Sequence, residues 1–133
     1  MISQTVEYAL RAMSYLASLG GAPTTSEAIA RSTRIPRGYL SKIMRDLVRA
    51  DLVRSFRGPH GGFVPARDAE SITLLDIVSA VDPIRRIAGC PSADPRHAWP
   101  CPLRRCLDDA LAHVEQRFRS TTLGSVLSTI REA

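Results

Sequence analysis

Between residues 24 and 66 the apolar positions of this 133-residue chain change their spacing, and that change constrains the fold more than any other feature. Thr24 and Glu27 stand at capping-box spacing, which predicts a short helix carrying Ala28, Ile29 and Ala30. Ser32-Thr33-Arg34 is expected to break it. Pro36 suits the first turn of the next helix, where its missing N–H is no loss, and that helix should run to about Ala50. Leu40, Ile43, Met44, Leu47 and Val48 fall on one stripe of it, leaving Arg37, Ser41, Lys42, Arg45 and Arg49 pointing elsewhere. Beyond Ala50 the period drops to two. Residues 52–56 and 63–66 are short alternating runs around the tip RGPHGG, the pattern of a β-hairpin. A short helix, a tight link, a second helix with a basic free face and then a hairpin make a winged helix-turn-helix.

The flanks extend this unit. Residues 2–19 place Val6, Ala9, Leu10, Met13, Leu16 and Ala17 on one helical face, stopped by Gly20, Gly21 and Pro23. Thr73 and Asp76 repeat the capping-box spacing ahead of Leu74, Leu75, Ile77, Val78 and Val81, a helix ending near Pro83. Pro102 opens a long helix on which Leu103, Leu107, Ala110, Leu111, Val114 and Phe118 form a continuous stripe, with no intrachain partner of equal length in the pattern. A second copy of the chain is the expected partner. Thr122 then restarts a short helix through Leu123, Val126, Leu127 and Ile130. The expected fold is mainly α, divided into a winged helix-turn-helix over 1–82, a cysteine-containing loop over 83–101 and a dimerisation helix with its short successor over 102–133.

Composition agrees with packed helices. Hydrophobic residues make up 44 % and aromatics only 5 %, so the core must be largely Leu, Ile, Val and Ala. The formal net charge is +5, and Lys42 is the single lysine among 18 basic side chains. Such a balance suggests a polyanionic partner, against the plainer reading of an arginine-biased, solvated surface. No run reaches the roughly 18 to 20 apolar residues that cross a bilayer, and the start MISQTVEYALRAM lacks the order of a secretory signal. The expectation is a cytoplasmic protein without membrane contact. Phosphate-cradling loops, nucleophile elbows and zincin motifs are missing, and Asp108 and Asp109 are adjacent on one helix, where neighbours do not face each other. An enzyme is not expected.

All three cysteines fall within residues 90–106, spaced Cys90-x10-Cys101-x4-Cys106. In a reducing compartment, clustered thiols point to metal or redox chemistry ahead of structural bridges. Thiolate is a soft ligand that suits iron–sulfur clusters and zinc, and a thiol switch is the third option.

Four blocks in order, EYALRAMSYLA, YLSKIMRDLVRADLV, SFRGPHGGF and SITLLDIVSAVD leading to CPL, resemble the IscR/NsrR family of bacterial winged-helix transcription regulators, the Rrf-two family. The resemblance implies a homodimer with crossed long helices that binds a palindromic operator and usually represses. It implies DNA contacts at Arg37, Gly38, Tyr39, Ser41 and Lys42, with Arg37 and Tyr39 positioning the backbone and Ser41 and Lys42 in the groove. At the wing, Arg57 matches an arginine that enters the minor groove, flanked by Gly58 and His60. It further implies an iron–sulfur cluster, 2Fe–2S or 4Fe–4S, on Cys90, Cys101 and Cys106, with Glu7 of the other subunit as fourth ligand and His97 as its rival. The first cysteine spacing is longer here than in cluster-holding relatives. Arg11 stands where some of them place a ligand histidine, so Glu7 and Arg11 are also readable as an exposed pair four residues apart. Cluster-free family members keep a thiol or zinc switch open, and a winged-helix protein-interaction module is the reading from another class.

Overall fold

A computed structural model describes residues 2–59, 61–86 and 102–132. The elements run α1 (Gln4–Ser18), α2 (Ser26–Thr33), α3 (Arg37–Arg49), β1 (Val53–Phe56), β2 (Gly62–Pro65), a 3-10 turn (Ala69–Ser71), α4 (Leu74–Val81), α5 (Pro102–Arg119) and α6 (Leu123–Glu132). This is the mainly α winged helix-turn-helix that the apolar pattern predicts.

The core gathers around α1, which packs against α2, α3, α4, α6 and β2. Its inner face offers Ala9 and Ala12 beside Met13 and Leu16, all buried. The two alanines carry almost no side chain, so neighbouring helices can approach closely, and Met13 and Leu16 fill the remaining space. Ile29 of α2, Leu40, Ile43, Met44 and Leu47 of α3, Ile77 of α4 and Leu123 of α6 join the cluster, with Ile35, Leu52, Val53 and Ile72 between and beside them. The Ser3 hydroxyl caps α1 by accepting from the Val6 N–H. Thr73 and Asp76 form the reciprocal capping box that their spacing predicts at α4.

The start of α2 differs from expectation. Its N-cap is Thr25, whose hydroxyl accepts from the Ala28 N–H at 3.1 Å, and Thr24 makes no cap. Both backbone polar groups of Thr24 are committed elsewhere: its N–H donates to the Phe63 carbonyl at 3.2 Å, and its carbonyl accepts from the Phe63 N–H at 2.7 Å. Thr24 is thus a one-residue edge strand, buried against the hairpin. At the other end, Ser32 and Thr33 remain helical, and Arg34 ends α2 in the left-handed region at φ 58°.

The hairpin pairs Val53 with Pro65 through to Phe56 with Gly62, antiparallel. Leu52 and Val53 are buried at its root, while residues 54–59 are exposed. Gly62 is what lets Thr24 dock: a Cβ there would lie 2.5 Å from the Thr24 carbonyl oxygen, and its φ of 151° disfavours any side chain.

Helix α5 packs on α4 but buries none of its own residues. Leu103 and Leu107 are 55 % and 45 % exposed, so among the described residues the apolar stripe read from the sequence is left uncovered at its N-terminal half. Leu111, Val114 and Phe118 are half-buried.

Gly62→Ala is expected to cost about 2 kcal/mol, by the clash and the strained φ together. The check is a thermal melt, with faster hydrogen exchange at the Phe63 amide if the wing detaches.

Candidate nucleic-acid interface and thiol region

Helix α3 divides its residues cleanly. Leu40, Ile43, Met44 and Leu47 are buried, whereas Arg37, Gly38, Tyr39, Ser41, Lys42, Arg45 and Arg49 are exposed. The five recognition-helix candidates therefore share one solvent face at the start of the second helix of the pair. Nothing lies within 4 Å of an ideal Cβ at Gly38, so the backbone there is open to close approach. Among the described residues the Lys42 side chain has no hydrogen-bond or ion-pair partner.

A network that sequence reasoning missed supports this face from behind. The Tyr39 ring stands edge-on to Tyr8 of α1, with centroids 5.6 Å apart. Gln4 Nε2 donates to the Tyr8 hydroxyl at 2.9 Å. The Arg11 guanidinium lies 5.3 Å from the Tyr8 ring centroid and donates to the Thr33 carbonyl at 3.0 Å. Arg11 is thereby bound to the turn between α2 and α3; it is exposed like Glu7, but its described partners are the Thr33 carbonyl and the Tyr8 ring. A cation at the carbonyl end of α2 also suits the helix dipole. The signal was present: Tyr8 and Arg11 are three residues apart and so share a helix face.

In the wing, Arg57 is exposed and, among the described residues, without a protein partner. Gly58 adopts φ 102° at the start of the tip, and the Gly61 N–H donates to its carbonyl at 2.9 Å. His60 lies outside the described residues. The wing root is held between α3, which packs on β1, and the Thr24 edge. Arg57 is therefore carried on an anchored hairpin.

Of the thiol candidates, Cys106 stands on α5 as a free, exposed cysteine. Cys90, Cys101 and the rival ligand His97 lie outside the described residues. Glu7 is exposed in the first turn of α1. Among the described residues no group of three or more His, Cys, Asp and Glu side chains could hold a metal ion. As a donor set, three thiols with a carboxylate suit an iron–sulfur cluster or zinc chemically.

Before the cysteine-bearing segment the chain is clamped. Arg86 donates to both carboxylate oxygens of Asp108, at 2.7 and 2.8 Å, and to Glu115 at 3.3 Å. Glu115 in turn accepts from Arg119 at 3.1 Å. The Asp108 bonds, ahead of Glu115, raise the guanidinium pKa above its already high ordinary value. Asp108 is thus a structural acceptor between α5 and the segment leaving α4.

Two further observations bear on function class. Among the described residues no helix is long and apolar enough to cross a membrane. A family model described as "Rrf2: Iron-dependent Transcriptional regulator" matches residues 2–129. The chain belongs to the Rrf2 family. Rrf2 proteins are transcriptional regulators, not enzymes. An HTH-type transcriptional regulator of Aquifex aeolicus (strain VF5) is 30% identical to this Rrf2 chain over 132 residues, covering 96% of it and 92% of the relative. The structure of CymR (YrzC), the global cysteine regulator of B. subtilis, superposes with a TM-score of 0.79 at 29% identity, covering 97% of both chains. T. potens IscR superposes with a TM-score of 0.80 at 24% identity, covering 99% of this chain and 89% of its own, and shows the shared fold.

Proposed function

We propose that this Rrf2 regulator acts as a homodimer that binds a palindromic DNA operator, in most settings to repress, and that sulfur chemistry in residues 90–106 sets its affinity. The observation that carries the reading is the solvent face of α3, where Arg37, Gly38, Tyr39, Ser41 and Lys42 lie together, followed by exposed Arg57 on an anchored wing. Arg37 and Tyr39 contact phosphates and fix register; Ser41 and Lys42 reach base edges in the major groove. Arg57, with Gly58 and His60 beside it, enters the minor groove, where the negative potential favours arginine. The exposed Leu103 and Leu107 on α5 support pairing with a second copy, and a twofold protein matches a twofold operator. In this division, residues 1–82 read DNA, 83–101 sense and 102–133 dimerise.

The sensor takes one of two forms. In the first, Cys90, Cys101 and Cys106 hold an iron–sulfur cluster, 2Fe–2S or 4Fe–4S, with Glu7 of the partner subunit or His97 completing the set. The group, when bound, supplies sensitivity to oxidant, nitric oxide or iron supply. The residues of the chain do the rest: Glu7 sits on α1, whose Tyr8 touches Tyr39, so ligation at α1 bears directly on the reading helix. In the second form, the thiols themselves are the switch. The free, exposed Cys106 favours it, because solvent access is what thiol oxidation requires.

Arg57→Ala is expected to weaken binding to a duplex selected from a random library by about tenfold, as one lost contact is worth roughly 1 to 1.5 kcal/mol, while the dimer stays folded. Unchanged affinity in a salt-controlled titration would contradict the wing assignment. Purified without oxygen, the cluster form yields brown protein with iron and acid-labile sulfide. Colourless, iron-free protein whose operator affinity changes on mild oxidation supports the thiol switch instead.

A further inference from the structure

The solvent side of α3 carries more positive charge than the contacts proposed so far employ. Gly38, Lys42, Arg45 and Arg49 follow one another at steps of four, three and four residues. At roughly 100° of turn per residue, these positions fall within a strip about 60° wide. The strip lies opposite buried Leu40, Ile43, Met44 and Leu47, with Arg37 and Tyr39 on its two flanks. Lys42, Arg45 and Arg49 are all exposed, and among the described residues none of their side chains has a hydrogen-bond or ion-pair partner.

A solvated basic face is the ordinary explanation, and Arg49 in the last turn also suits the carbonyl end of the helix dipole. Two observations point further. A helix face laid out for solvent alternates its signs and holds them in pairs three or four residues apart. Here the strip has three bases and no acid; Asp46, the one acidic residue of α3, is half-buried beside it and pairs with none of them. The second observation is length. Arg49 stands seven residues beyond Lys42, about 10 Å along the axis at ~1.5 Å per residue, and the major groove is about 12 Å wide. With Lys42 at base edges, Arg45 and then Arg49 come successively nearer the groove rim, where the phosphates are.

We infer that Arg45 and Arg49 are DNA-binding residues that grip phosphates at the edge of the groove. They supply affinity without sequence preference, because every duplex presents the same backbone charge. One strip of α3 then has two duties, reading at its N-terminal end up to Lys42 and holding from there to its C-terminal end. The inference rests on the proposed function, since it takes α3 as the reading helix.

The test compares the wild type with a double Arg45→Gln, Arg49→Gln variant and a double Arg45→Lys, Arg49→Lys variant. Each is titrated from ~0.05 to ~0.2 M salt with a duplex selected by the wild type and with a scrambled duplex of equal length. Two protomers of the Gln variant lose four phosphate contacts between them, so the slope of log K against log salt should become shallower by about 3 to 4. Affinity at ~0.1 M salt should fall more than about tenfold on both duplexes alike, leaving discrimination unchanged. The Lys variant keeps the charge and should keep the wild-type slope. An unaltered slope in the Gln variant overturns the inference, whether the strip is only solvated or meets an acidic protein. A loss confined to the selected duplex also overturns it, by making the pair base contacts, as does a slope that the Lys variant fails to keep. Should the double Gln variant melt earlier than the wild type, the two single variants decide, each with half the change of slope. A wild type that binds neither duplex means that the proposed function has failed and this inference with it, whereas binding with unaltered slopes sinks the inference alone.

Discussion

Two backbone hydrogen bonds between Thr24 and Phe63 tie the wing to the helix pair, and the reading surface depends on them. Each contributes only about 0.5 to 1.5 kcal/mol net. Their importance is geometric. They fix where β2 lies relative to the start of α2, and through the β1–β2 register they fix the base of the tip that carries Arg57. Gly62 makes the approach possible, and buried Leu52 and Val53 hold the hairpin root against the core. The wing is consequently a third layer of the helix-turn-helix and not a loop appended to it.

Helix α1 plays the corresponding part for α3. Its buried face supplies the packing surface, and its polar edge supplies Tyr8 and Arg11, which steady Tyr39 and the Thr33 carbonyl. The candidate ligand Glu7 is on this same helix, one residue before Tyr8. Any chemistry that draws Glu7 toward a partner subunit therefore acts on an element already in contact with the recognition face. At the other end of the chain, Arg86 fastens the exit from α4 to α5 through Asp108 and Glu115. The cysteine-bearing segment is thus bounded by a fixed anchor on each side, at Arg86 and at α5. Exposed Leu103 and Leu107 give α5 an apolar surface that the other described residues leave uncovered.

Much of this was legible in the sequence because it follows from periodicity. The stripe of α3, the alternation of the hairpin and the Thr73–Asp76 box all form as their spacings predict. The Thr24–Glu27 box did not, for a specific reason. Thr24 and Thr25 are equivalent as capping residues, and the choice is made by Phe63, about forty positions away, whose backbone claims Thr24. The partner of Arg11 is set by the same kind of long-range choice. Local spacing offers it Glu7, while the fold offers it a carbonyl with no remaining helical donor at the end of α2. The stripe on α5 was visible, but sequence could not show that, among the described residues, its N-terminal half is left uncovered. Cys90, Cys101, His97 and His60 lie outside the described residues, and their assignment rests on residue chemistry and family resemblance.

The account stands on a twofold protein gripping a twofold duplex through α3 and the wing. Sedimentation of the wild-type chain, alone and with a palindromic duplex that it selects from a random library, tests this most directly. The account predicts a two-chain particle that becomes two chains per duplex, with an association constant falling steeply as salt rises. A monomer that sediments independently of every duplex at low ionic strength would contradict it.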